Sequence, residues 1–135
     1  MSKATVTKLF LGGALAVIAG SIVGVAAVWI AIANDVFVMN GPDIVGIQGS
    51  PLGWSMLGLG ILGALAIAGG LIAGFVSWIG ALLNTSQLES KTWFLVLLLL
   101  GIFNFGFFAM IAYVIAGPDG TTSGDMRRAQ VPAAA

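Results

Sequence analysis

Three long apolar stretches alternate with short polar ones along the chain. Leu9–Ala33, Gly53–Leu83 and Trp93–Ala116 contain no Asp, Glu, Lys or Arg. A helix needs about 20 apolar residues to cross a hydrocarbon core about 30 Å thick, and each stretch reaches that length. The pattern predicts an all-α membrane protein with three transmembrane helices and short loops. Residues 1–8 read as a polar head, 9–116 as a single three-helix transmembrane domain and 117–135 as a flexible, disordered tail. Ala31-Ile32-Ala33 has the small-residue form of a signal-peptide cleavage site. The apolar run before it exceeds the roughly 7–15 residues of a signal sequence, so the first stretch reads as a retained span.

The first two spans sort small residues from bulky ones. In the first, Gly13, Ala16, Gly20, Gly24, Ala27 and Ala31 recur at steps of three and four, so they share one face of a helix. Leu15, Ile18, Ile22, Val25 and Trp29 lie opposite. In the second, Gly63, Ala66, Gly70, Ala73, Gly74 and Ser77 fall on one half, and Leu65, Leu71, Ile72, Phe75 and Trp78 on the other. Lipid tails are as apolar as leucine, so hydrophobicity cannot hold two helices together in a bilayer. Close van der Waals contact does so, and it requires small residues at the interface. Gly20 and Gly24 form one GxxxG, and Gly70 and Gly74 another. The expectation is that spans one and two pack through these four glycines. The packing residues are then Gly13, Ala16, Gly20, Gly24, Gly63, Gly70, Ala73 and Gly74.

The two spans also share a sequence pattern. Gly13-Ala14-Leu15-Ala16 recurs as Gly63-Ala64-Leu65-Ala66, and with the same offset Gly20, Ile22, Gly24 and Asn34 match Gly70, Ile72, Gly74 and Asn84. Biased composition explains this more simply than duplication of one span. The third span differs: it runs through six successive aliphatic residues, Leu95–Leu100, and is rich in phenylalanine. Gly117-Pro118 ends it, because proline cannot continue a helix.

Asn34–Leu52 reads as a polar-to-mixed loop with turn chemistry at Asn40-Gly41-Pro42-Asp43 and Gly49-Ser50-Pro51. It carries no Lys or Arg, which favours the outer side of the membrane. Lys3, Lys8 and Lys91 then fall inside, and Arg127 and Arg128 outside. The reading is a multi-pass protein of the cell (plasma or inner) membrane with its N-terminus cytoplasmic and its C-terminus outside. Trp29 and Trp54 mark one interface, with Tyr113 beside them, and Trp78 and Trp93 mark the other, since amphipathic rings settle at headgroup level.

Composition narrows the chemistry. The 135 residues are 7% charged with mean hydropathy +1.10, against about 25% charged in a soluble domain. There is no cysteine and no histidine, hence no disulfide, no thiolate ligand, no haem-ligating imidazole and no ordinary general base. Coupled transport usually places an ionisable residue within a span, and none is there. Ser21, Ser55 and Ser77 have no base to activate them as nucleophiles, and bonds back to their own helix are the expected role of Ser21 and Ser77. No cofactor, metal site or catalytic residue is assigned.

Asn104 is the one strongly polar residue near the centre of a span. It reads first as an interhelical hydrogen-bond donor on one face with Leu97, Gly101 and Phe108, and second as a ligand contact. Asp35 and Asp43 read as a solvated loop before they read as a cation site. Asn84-Thr85-Ser86 fits a glycosylation sequon but abuts a helix end on the cytoplasmic side, so it is discounted.

Lys91-Thr92-Trp93, the apolar run after it, Tyr113 and Gly117-Pro118 resemble the N-terminal membrane segment of phospholipase D–type cardiolipin synthases, which also occurs in small stand-alone membrane proteins. The resemblance covers about a fifth of the chain, with a longer distance from Trp93 to Tyr113. It implies a membrane helix there. It carries no activity across, because the catalytic residues of those enzymes include histidine.

The function these features suggest is a non-catalytic accessory subunit of a larger membrane complex, with a respiratory or other energy-converting assembly as host. Its partners are membrane lipids and other membrane-protein subunits, not nucleic acid. The alternative is a homo-oligomeric channel or carrier lined by the small-residue faces. Cysteines introduced at Gly46 and at Gln87, on either side of the second span, are expected to be labelled from opposite sides by an impermeant thiol reagent in intact cells. Labelling of both from one side would remove the second crossing.

Overall fold

A computed structural model describes residues 2–88 and 91–118. The elements run α1 (Lys3–Ala33), β1 (Phe37–Asn40), β2 (Asp43–Ile47), α2 (Pro51–Ser86), α3 (Thr92–Ile102) and α4 (Gly106–Ala116). Two of them, α1 with 31 residues and α2 with 36, are long and apolar enough to cross a membrane. The third apolar stretch is two 11-residue helices and not a continuous one. The tail from 119 to 135 lies outside the described residues. Contacts divide the chain into two compact units, 13–71 and 1–12 with 72–135.

The unit 13–71 holds most of α1, the first half of α2 and the connection between them. Here the helices run antiparallel and meet at glycines. A Cβ built on Gly20 would stand 2.6 Å from the Gly63 carbonyl oxygen, and one on Gly63 would stand 2.8 Å from that of Gly20. One on Gly70 would stand 2.5 Å from the Gly13 carbonyl oxygen and 2.7 Å from Val17 Cγ2. No side chain fits at these distances: at Gly20 and Gly63 each backbone occupies the place of the other's missing Cβ, and at Gly70 the Gly13 backbone does. The pairs Gly13–Gly70 and Gly20–Gly63 lie seven residues apart along each helix. Burial keeps that spacing: Val6, Gly13, Gly20 and Ala27 are buried in α1, and Gly63, Gly70, Ser77 and Asn84 in α2. Seven residues make two turns, which returns a helix to the same side of its neighbour.

The expected GxxxG contact therefore differs in detail. Gly20 and Gly70 do lie at close approaches, but to Gly63 and Gly13. Nothing comes within 4 Å of a Cβ on Gly24 or Gly74. Gly24 contributes only backbone, 3.1 Å from the Cβ position of Gly63. A step of four residues drifts off a face that is met every seven. Ala16, Ala73 and Gly74 are only half-buried.

The connection is more ordered than the loop its composition suggests. β1 and β2 pair antiparallel, Phe37 with Ile47 and Asn40 with Asp43. Gly41, at φ +62°, and Pro42 close the turn, the glycine supplying the positive φ that two-residue hairpins need. A bulge lets Val45 stand unpaired between Ile44 and Gly46. Helix α1 ends in a Schellman motif. Asp35 takes φ +53°, its N–H donates to the Ile32 carbonyl, and the Val36 N–H donates to that of Ala31. Helix α2 begins on a side-chain cap, with the Gly53 N–H donating to Ser50 Oγ at 3.1 Å and Pro51 in the first helical position.

The other unit packs the first turns of α1, the second half of α2, α3 and α4 around a core of Val6, Phe10, Ala81, Leu97, Met110 and Tyr113. α3 and α4 fold back on one another. The break between them is a second Schellman motif. Asn104 has φ +66°, its N–H donates to the Gly101 carbonyl and the Phe105 N–H to that of Leu100. Asparagine tolerates the left-handed region better than most non-glycine residues, which suits Asn104 to the break.

Gly63→Leu and Gly70→Leu are expected to lower stability by about 1–3 kcal/mol through overpacking. Gly24→Ala and Gly74→Ala, with open space at the new methyl, are expected to be neutral or to gain up to about 1 kcal/mol of helix propensity. Thermal unfolding in a fixed detergent, followed by circular dichroism, ranks the four. Equal behaviour of both pairs would rule out the seven-residue contact.

Candidate functional site

The polar side chains of the second unit gather where its helices end. Asn84 lies in the last turn of α2 and is buried despite its amide. Its Nδ2 donates to Tyr113 Oη at 2.6 Å. Tyr113 is fully buried one turn before the end of α4. The ammonium of Lys3 lies 6.0 Å from the centre of the Tyr113 ring and donates to the Gly117 carbonyl at 2.5 Å. A cation over an aromatic face gains electrostatic stabilisation, more so where water is thin. Gly117 caps α4 in an extended conformation, φ −67° and ψ 144°, as a residue before proline prefers. It lies so close to the Tyr113 ring that a Cβ there would overlap it.

Three helix ends are thus joined by one set of contacts. Thr85 beside it is also fully buried, with its hydroxyl donating to the Ala81 carbonyl at 2.9 Å. Further along α2, Trp78 Nε1 donates to the Leu97 carbonyl at 3.0 Å, and the Trp78 ring fills the space at Gly101. Ser77 is buried and bonds back to the Ala73 carbonyl at 2.7 Å, as Ser21 does to Val17 at 2.8 Å. Among the described residues no buried side-chain nitrogen or oxygen lacks a partner. A satisfied network of this kind fixes geometry, because each group is costly to unpair in apolar surroundings.

Several sequence-based expectations place differently. Tyr113, expected as an interfacial ring, is fully buried. It is buried against Asn84 and Lys3, while Trp29 and Trp54 are strongly exposed. Trp78 is half-buried with its N–H committed to α3. Among the described residues the Asn104 side chain makes no interhelical hydrogen bond. The residue is exposed, and its backbone forms the turn between α3 and α4. The break also separates it from the face of Leu97 and Gly101. Asp35 caps α1, and Asp43 opens β2 opposite Asn40. No group of three or more His, Cys, Asp or Glu gathers among the described residues. The Asn84–Tyr113 pair was not expected, although Gly63, Gly70, Ser77 and Asn84 follow one another at steps of seven.

Chemically the cluster offers hydroxyl and amide groups, a cation and a carbonyl, each engaged with another part of the chain. This suits it to hold helix ends in register. No protein-family model, no curated protein and no solved structure matches the chain.

Asn84→Ala and Tyr113→Phe each remove one side of the hydrogen bond. A double-mutant cycle in detergent is expected to give a coupling of about 0.6 kcal/mol, the average of measured interhelical bonds in membranes, whose maximum is about 1.7 kcal/mol. A coupling of zero would show that the pair does not tie α2 to α4.

Proposed function

We propose that this chain is a non-catalytic accessory subunit of a larger membrane complex, multi-pass in the cell (plasma or inner) membrane. A respiratory or other energy-converting assembly is the host we favour. The observation that supports this reading is the use of the small faces. Gly13, Gly20, Gly63 and Gly70 close backbone on backbone within the chain. What remains outward is bulky and apolar: Leu15, Val25, Leu71, Ile72 and Phe75 are each at least 60% exposed. Such faces suit lipid tails and the helices of neighbouring subunits, and they hold no group for chemistry of their own. The competing channel or carrier would line its pore with the small faces, and those are already occupied.

Of the three crossings that hydropathy suggests, α1 and α2 provide the first two. The lysines place the N-terminus in the cytoplasm, because the β1–β2 connection has neither Lys nor Arg. Native mass spectrometry of the detergent-extracted protein from its own membrane tests the assignment. Co-purifying foreign subunits in a fixed ratio are expected. A ladder of self-multiples alone would favour the homo-oligomeric reading.

A further inference from the structure

The stretch Trp93–Ala116 would cross a bilayer as one helix, and it is not one helix. α3 and α4 have 11 residues each, a length of about 16 Å at about 1.5 Å per residue, or half of a hydrocarbon core. Stacked end to end they would still cross. The contacts within their unit rule out that stacking. Trp78 of α2 bonds to Leu97 in α3, and Asn84 of α2 bonds to Tyr113 in α4. Both short helices therefore lie along the same last turns of α2. The Phe107 ring stands 5.7 Å from that of Phe10, and Gly117 accepts a hydrogen bond from Lys3. α4 thus runs back along the first turns of α1 and finishes where α1 starts.

We propose that α3 and α4 form a re-entrant helical hairpin, which enters and leaves the membrane on the face of the N-terminus and docks its Phe103–Phe105 apex on a transmembrane helix of a partner subunit. The first half stands on the contacts above and needs no partner. It also resolves the charge conflict. With one crossing at 93–116, Arg127 and Arg128 fall opposite the lysines. With a hairpin, no crossing follows α2, and all five Lys and Arg of the chain share one side.

The second half rests on the accessory-subunit reading and names its contact surface. Non-helical backbone at membrane depth is tolerated only where protein covers it or water reaches it. Among the described residues of its unit nothing covers the apex. Phe103 is 69% exposed and Phe105 53%, and Asn104 between them is exposed with no side-chain hydrogen bond. Phe105 occupies the N-cap position of α4 and has no oxygen to offer the first amides of that helix. Hydrocarbon satisfies none of these groups. The phenylalanine collar makes a poor wall for a water-filled vestibule and a good one for another helix. That helix must offer a carbonyl or hydroxyl to the Asn104 amide, which both donates and accepts.

Two measurements on the full chain in its native membrane separate the halves. The protein has no cysteine, so single cysteines report cleanly. Ser2→Cys and Pro118→Cys are expected to react with an impermeant maleimide from the same side, and Gly46→Cys from the other. Pro118→Cys reacting with Gly46→Cys would overturn the hairpin. For the apex, a photo-crosslinking amino acid at Phe103 is expected to give a discrete adduct with a foreign membrane subunit, identified by mass spectrometry. The same probe at Ile115, 78% exposed, is expected to give lipid adducts alone. Asn104→Gly keeps the left-handed backbone and loses the amide, and it is expected to reduce the Phe103 adduct about tenfold. Lipid adducts alone at Phe103 would overturn the docking claim, as would maleimide labelling of Asn104→Cys, the mark of a water-filled cavity. If foreign subunits still co-purify in that case, the accessory reading survives and only its contact surface is wrong. Adducts at Phe103 only between copies of this chain would overturn both.

Discussion

Everything in the unit 13–71 depends on four missing side chains. In water, two apolar helices associate because water is released. In lipid that force is absent, and attraction falls to dispersion, which is weak per atom pair and decays steeply with distance. Only direct backbone contact brings enough atoms together. Gly13, Gly20, Gly63 and Gly70 permit it, and the positions of Gly20, Gly63 and Gly70 opposite carbonyls of the facing helix leave no tolerance for a methyl. The bulky residues are displaced to the opposite faces as a result.

The other unit solves the same problem with polar groups and aromatic rings. Its helices are too short for a long glycine seam. Trp78 fills the gap at Gly101, and the Tyr113 ring packs on Gly117, so small residues here receive rings. The hydrogen bonds from Trp78, Asn84 and Lys3 then fix which helix ends meet. Two helices in the chain end in the same way, with an acidic or amide residue in the left-handed region at Asp35 and Asn104. At Asp35 the chain turns into a hairpin beside the helix end. At Asn104 it turns back on itself.

The two long helices and the sorting of small from bulky residues were legible in the sequence, because both follow from length and a helical period. The register was not. A stripe that recurs at three and four contains a seven-residue repeat as well as a GxxxG, and only the partner's position selects between them. The break at Asn104 was hidden for another reason. Hydropathy averages over a window, and one asparagine among phenylalanines barely lowers it, while its backbone preference is decisive. Asn84 and Tyr113 were separately visible as polar residues near span ends. Their pairing across 29 positions depends on the fold-back that the break creates.

The similarity between the first two spans takes on a geometric meaning in the antiparallel pair. An offset of fifty carries Gly13 onto Gly63 and Gly20 onto Gly70, so exchanging the two helices maps the contact Gly13–Gly70 onto Gly63–Gly20. Both halves of the seam pair residues related by the same offset, yet they are made at different times. The glycine groove of α1 leaves the ribosome about fifty residues before its complement. For that interval the small face of α1 stands without the helix it closes on.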